Sequence, residues 1–238
     1  MSKRTWIIFT VIVVGLLTAL VISSRNANPQ VDVSKVDENA IQTASKTNGN
    51  IADHVFGVAN SKVILIEYGD FQCPGCGGAY PRVKTLSEAY KGQISFVFRN
   101  FPLTTIHPNA RAAAGAAEAA GLNEKYWEMH NILYENQAAW ENLTGDNRTN
   151  AFTGYATTIG IDKNKFLSSL DDASINQKIS YDQAIAKKIN VDSTPTFYLD
   201  GVKLDSSIWS DEAKFAAAIN AELTKAGIAP PVFTPIAE

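Results

Sequence analysis

The sequence predicts an α/β fold with a helical block inserted between its strands and one apolar helix ahead of it. Three observations carry that expectation. A β-branched apolar run at 63–68 leads into an amphipathic stretch at 77–91 and a second strand-like run at 94–101, and this order implies a parallel pair. From 109 to about 176 the pattern is helical almost throughout. A hairpin signal then follows at 196–204. With 238 residues, 45% of them hydrophobic and 19% charged, the chain can bury a full-sized core. A net charge of -3 provides no basic field for phosphate backbones, so nucleic acid is not an expected partner.

Lys3 and Arg4 precede an uncharged apolar run over 6–22. At about 1.5 Å per residue it reaches roughly 25 Å, the short end of a bilayer span and more than the usual signal-peptide core of about 7–15 residues. A buried core helix would keep a polar edge and would seldom start beside basic residues at the chain end. Residues 1–25 are therefore expected to be a transmembrane signal-anchor, in preference to a cleaved signal peptide. The basic flank places the N-terminus in the cytoplasm and the rest in the periplasm or on the outer face of the cell membrane. Residues 26–51 turn polar, with Asn28-Pro29 and Asn48-Gly49-Asn50, and read as a flexible tether. The main domain is expected over 52–228.

Within it, Val63-Ile64-Leu65-Ile66-Glu67-Tyr68 has the continuous pattern of a central strand buried on both faces. Tyr80, Val83, Leu86 and Tyr90, three or four apart, make one apolar helix face that ends near Lys91-Gly92. The block over about 105–176 is alanine-rich at 110–120, with aromatic positions at Tyr126, Trp127, Tyr134 and Trp140; of these, Tyr126, Trp127 and Trp140 are expected in the core in preference to a peptide groove. Gly145-Asp146-Asn147 and Gly160-Ile161-Asp162 divide it into several short helices. A helix over about 175–189 leads to the run at 194–199, and Asp200-Gly201 supplies the tight turn before 202–204. A last helix, about 211–226, precedes a proline-bearing tail at 229–238.

Both cysteines of the chain lie in Cys73-Pro74-Gly75-Cys76, directly after the central strand and at the start of a helix. A disulfide there closes too small a loop to staple a fold, so its purpose is chemical. Unpaired N–H groups and the dipole at a helix N-terminus favour a thiolate, which makes Cys73 the attacking group and Cys76 the resolving one. Pro74 suits the first helical turn. A lone C-x-x-C also fits half a zinc site or two inert thiols. Zinc needs two further ligands, and His54, His107 and His130 are not spaced as a pair.

The stretch from Glu67 through Cys76 to Gly77 resembles the active-site segment of the DsbA family of thiol-disulfide oxidoreductases, including its membrane-anchored BdbD-like members. His107-Pro108, the alanine run, Tyr126-Trp127-Glu128-Met129-His130 and Leu133-Tyr134 resemble the start of that family's helical insertion. Val191-Asp192-Ser193-Thr194-Pro195-Thr196-Phe197 resembles the cis-proline loop of thioredoxin-like folds. The resemblance covers roughly 52–225 and implies a thioredoxin-like fold with an inserted helical subdomain. It implies that Pro195 is a cis-proline facing Cys73 and Cys76, that Thr194 offers its backbone to an extended substrate, and that Glu67 is a buried acid handling the resolving cysteine's proton. No cofactor is implied. Implied partners are unfolded or reduced secreted proteins, a membrane reoxidant of quinone-linked type, and the membrane itself through the N-terminal helix.

The expected function is extracytoplasmic disulfide introduction through Cys73 and Cys76. An extracytoplasmic reductase of the same fold and a redox-inactive peptide-binding module are the alternatives. One departure bears on oxidising strength: Gly75 stands where the family's best-known member has a histidine, which removes a cation from beside the thiolate.

Overall fold

The computed structural model describes residues 3–26 and 31–233, with the side chains of 8 and 19–26 outside that description. The chain divides into two units, 1–32 and 33–238. In the first, α1 (Lys3–Asn26) carries the apolar run as one continuous helix. Most of the described side chains along it, including Trp6, Phe9, Ile12 and Leu16, are exposed. Among the described residues no helix is long and apolar enough to cross a membrane.

The second unit is built on one mixed sheet of β1 (Val55–Gly57), β2 (Ile64–Gly69), β3 (Ser95–Asn100), β4 (Thr196–Leu199) and β5 (Val202–Lys203), in the order β1-β3-β2-β4-β5. β2 and β3 are parallel and every other neighbouring pair is antiparallel. Both central strands are buried almost end to end, so neither shows an apolar-polar alternation, and their polar residues Glu67, Ser95, Arg99 and Asn100 are buried with the rest. α2 (Pro74–Tyr90) makes the crossover between them. It buries Cys76, Ala79, Tyr80, Val83, Leu86 and Tyr90, the three-and-four spacing of one face.

The insertion comprises α3 (Ala110–Gly121), α4 (Tyr126–Glu135), α5 (Gln137–Trp140), α6 (Gly145–Thr158) and α7 (Lys163–Leu170). All the alanines of α3 but Ala112 are buried, so neighbouring helices approach it closely. Trp140 is shut in completely and donates its indole N–H to the Leu133 carbonyl at 2.8 Å. α8 (Ala173–Lys188) returns the chain to the sheet; α9 (Ser206–Trp209) and α10 (Glu212–Lys225) follow the hairpin. Asp200 and Gly201 make the left-handed turn of that hairpin, with φ of 46° and 79°. Two hydrophobic clusters result. One joins the insertion to Phe71, Cys73, Cys76, Tyr80 and Phe98, and the other packs α10 and β4 against the rest of α2.

The tether expected over 26–51 is corrected from Val33 onward, where the chain is packed into the second unit; residues 27–30 lie outside the described residues. Val33, Asn48 and Ile51 are buried. The guanidinium of Arg99 donates to the carbonyls of Glu38 at 2.5 Å and Ala40 at 2.7 Å, and the Tyr181 hydroxyl meets the Gln42 side chain at 2.9 Å. Gly49 has φ 70°, and a Cβ there would run into the Ser174 backbone. The segment gains its order from partners far along the chain, and its polar composition hides this. Of the tail expected over 229–238, residues 234–238 lie outside the described residues.

Candidate redox site

β2 delivers the chain to a short turn, and Cys73 caps α2 with extended backbone, φ -68° and ψ 123°. Its carbonyl opens the helical ladder by accepting the Gly77 N–H at 3.0 Å. Pro74, the first helical residue, gives up no needed donor. Cys73 retains 8% exposure and Cys76, beneath it, 1%. Both are free thiols. The Thr194–Pro195 peptide is cis. Its loop lies against the cap: the Cys73 sulfur is 3.3 Å from the Thr194 carbonyl, to which it donates when protonated, and a Cβ on Gly75 would sit 3.4 Å from Pro195 Cδ. Gly75 therefore has room for a side chain at ordinary contact distance. Cys73, Cys76, Thr194 and Pro195 are thus brought together.

The environment separates the two sulfurs. The Cys73 thiol is pushed down to about 5, first by a hydrogen bond from the Cys76 thiol and then, against burial, by the Thr194 side chain and the backbone N–H groups of Cys76 and Gly75. The Cys76 thiol is raised well above its usual value, by burial first and then by Cys73 and the neighbouring Glu67. Glu67, on β2 opposite Phe98 and Phe197, is itself pushed up to about 8 by burial and next by the charge on Cys73. At neutral pH the arrangement holds a thiolate at Cys73, a thiol at Cys76 and a protonated carboxyl at Glu67.

Three polar side chains that the sequence reading did not single out hold the turn in place. Asp70 accepts the N–H groups of Gln72 and Leu103, both at 2.8 Å, and pairs with His107 at 2.7 Å. Gln72 accepts the Asn109 N–H at 2.6 Å and donates to the Glu141 carbonyl at 2.7 Å. Gln137, from the insertion, donates to the carbonyls of Phe71 at 2.7 Å and Cys73 at 3.0 Å. A Cβ on Gly77 would meet the Gln137 amide, so glycine is what lets the clamp approach. Asp70 and Gln72 carry a weak local signal, as polar residues between an apolar strand and a capping cysteine. Gln137 carries none.

Below the pair lies an aromatic cluster. The Tyr134 ring packs on Phe71 at 5.0 Å and stacks on Tyr80 at 5.2 Å, with His130 at 5.2 Å. Burial pushes His130 down to about 4, so it is neutral. Tyr126 and Trp140 are core residues as expected, whereas Trp127 is only partly buried at the edge of both clusters.

A thioredoxin family profile matches residues 49–221. Among solved structures, oxidised BdbD from Bacillus subtilis superposes with a TM-score of 0.61 at 22% identity, covering 78% of this chain and 98% of that one. The thiol-disulfide exchange protein alpha-DsbA2 from Wolbachia pipientis gives 0.59 at 22%, covering 71% and 87%. MdbA, a thiol-disulfide oxidoreductase from Corynebacterium diphtheriae, gives 0.57 at 22%, covering 77% and 98%. Curated relatives bear a different name. A Na(+)/H(+) antiporter NhaA 1 from Salinispora arenicola is 35% identical over 220 residues, 92% of this chain and 31% of the relative. An NhaA 3 from Salinispora tropica is 32% identical over the same shares. The chain spans about a third of the length of these relatives.

Proposed function

The chain belongs to the thioredoxin family and has the fold of the DsbA-type proteins it resembles; from that premise we propose that it is an extracytoplasmic protein thiol-disulfide oxidoreductase that introduces disulfides through Cys73 and Cys76. The observation that carries this reading is the split between the sulfurs: Cys73 sits on a helix N-terminus facing the Thr194–Pro195 loop and favours thiolate, while Cys76 is buried as thiol. A stabilised Cys73 thiolate favours the reduced protein, and a couple whose reduced form is favoured is an oxidant. That supports the oxidase direction over the reductase.

In the proposed cycle a substrate thiolate attacks Cys73 of the oxidised pair, the mixed disulfide is resolved by a second substrate thiol, and a membrane reoxidant of quinone-linked type restores the disulfide. Pro195 and the Thr194 backbone would seat the substrate chain, and Glu67 would give and take the Cys76 proton. Reduced secreted proteins are the proposed substrates. The apolar run over 6–22 with its basic flank supports an anchor at 1–25. Antiport, named for the curated relatives, forms no part of the reading, since the shared segment is the part that carries the cysteine pair.

The deciding experiment is the reduction potential of the Cys73/Cys76 couple against glutathione. A value well above that of thioredoxin, about -270 mV, supports the oxidase, and one at or below it favours the reductase. Protease added outside spheroplasts should reach the domain while it remains with the membrane fraction; full release would replace the anchor with a cleaved signal peptide.

A further inference from the structure

We propose that the Tyr134 hydroxyl is a positioning donor for Cys76, hydrogen-bonding its sulfur as the bond to Cys73 breaks; the proposal rests on the disulfide-exchange reading. Cys76 and Tyr80 are four residues apart and share the buried face of α2. The Tyr134 ring stacks on Tyr80 and packs on Phe71, two residues before Cys73, so it is held over the part of that face where Cys76 lies. Its hydroxyl is buried and has no hydrogen-bond partner in the reduced protein. Orphaning a buried hydroxyl is costly, and a phenylalanine would avoid that cost. Gln137, one turn along, reaches the Cys73 carbonyl, so this end of the insertion is aimed at both cysteines. Burial first, and then Cys76 and Glu67, hold the Tyr134 hydroxyl well above its usual range, so it acts as a donor and never as a base.

The step balances as follows. A substrate thiolate forms a bond to the Cys73 sulfur while the Cys73–Cys76 bond breaks, and the bonding pair passes to Cys76. Tyr134 donates to the developing Cys76 thiolate, which then takes the proton of the neutral Glu67 carboxyl. A second substrate thiol, whose proton passes through solvent back to the Glu67 carboxylate, attacks the bonded substrate sulfur and displaces Cys73 as a thiolate, leaving the substrate oxidised by two electrons and the enzyme pair reduced. Tyr134 acts only while Cys76 carries charge. It therefore lowers the barrier in both directions and leaves the equilibrium almost untouched.

The test compares two steps in the full chain. Reduction of the Cys73–Cys76 disulfide by dithiothreitol, followed by quenching and alkylation, should be about 10- to 100-fold slower in Tyr134→Phe, the range expected for losing one hydrogen bond to a charged group. Release of glutathione from Cys73 in a Cys76→Ala background, where Cys76 does not leave, should be unchanged by Tyr134→Phe. The denaturant midpoint should hold or rise, and the equilibrium with glutathione should stay within about threefold. An unchanged first step overturns the proposal, as does equal slowing of both steps with a lowered midpoint. A wild-type chain that forms no mixed disulfide with the dithiol overturns the exchange reading itself.

Discussion

Two buried carboxylates in this fold, Glu67 and Asp53, differ in almost everything but burial. Asp53 accepts Arg99 at 2.9 Å and Lys178 at 2.9 Å; Lys178 in turn meets Asp182 at 2.6 Å. Burial works against its ionisation, but Lys178 and Arg99 overcome it and hold Asp53 well below the usual carboxylate range. Glu67 has hydrophobic strands to either side and a thiolate nearby, and is pushed up to about 8. Partners, more than depth, decide which acid keeps its proton. One region is a saturated ionic network that supports the fold. The other leaves polar groups short of partners until a reaction supplies charge, as functional sites do.

The contrast is broken most sharply at the sulfurs. Cys73→Ser should abolish exchange, whereas Cys76→Ser should accumulate mixed disulfides through Cys73, detected by non-reducing electrophoresis. Trapping with the roles reversed would sink the assignment.

Next in size is the difference between the acids. Asp53→Ala leaves Arg99 and Lys178 facing one another without the shared carboxylate and should cost about 3–5 kcal/mol in urea unfolding, the usual result of breaking a buried pair. The thiolate titration of Cys73 in the folded variant should not move. Glu67→Gln should do the opposite. Because the Glu67 pKa is raised on folding, its favourable contribution is complete below the unfolded value of about 4.5 and is lost as pH rises through about 8. The variant should match wild type near pH 5 and be more stable, by roughly 3–5 kcal/mol, near pH 9. Equal pH profiles would mean that Glu67 is not protonated in the native state.

Activity should follow the same split. Attack of the reduced protein on a disulfide peptide should rise with pH as Cys73 ionises near 5, measured as the initial rate of mixed-disulfide formation. The lowered Cys73 value adds stability to the reduced form as pH rises above 5, complete only above the unfolded value near 9. At pH 7 the reduced form should be favoured by roughly 2–3 kcal/mol, read from denaturant midpoints of the two redox forms. The smallest expected effect is at Gly75. Gly75→His has space beside Pro195 and Cys73 and should lower the thiolate pKa further, by up to about one unit, without a change in fold.

Most of the redox region is legible in the sequence. A continuous apolar run ending in Cys-Pro-Gly-Cys fixes the central strand, the cap and the helix together, because each requires the next. Glu67 is conspicuous as the one charge inside that strand. Asp200-Gly201 marks its hairpin correctly. What escapes is whatever depends on distant partners. β1 is three residues long, too short for any periodicity. The order of 33–51 rests on Arg99, Tyr181 and Lys188, all far away in the sequence. Asp53, Lys178 and Asp182 look like ordinary surface charges, and only Lys178 and Asp182 stand at helical spacing. Gln137 and Tyr134 sit in an insertion whose path back to Cys73 and Cys76 no local pattern encodes.

The packing of 33–51 also settles how the second unit bears mechanical load. A pull on the chain from before Val33 would load the bond between Lys188 Nζ and the Val36 carbonyl and the grip of Arg99 on the Glu38 and Ala40 carbonyls. Those bonds lie on α8 and at the end of β3, while the Cys73 turn is fastened separately by Asp70, Gln72 and Gln137. Tension would therefore be spent on a set of backbone carbonyls that take no part in sulfur chemistry, and the reacting sulfurs would keep their geometry until that strap had peeled away.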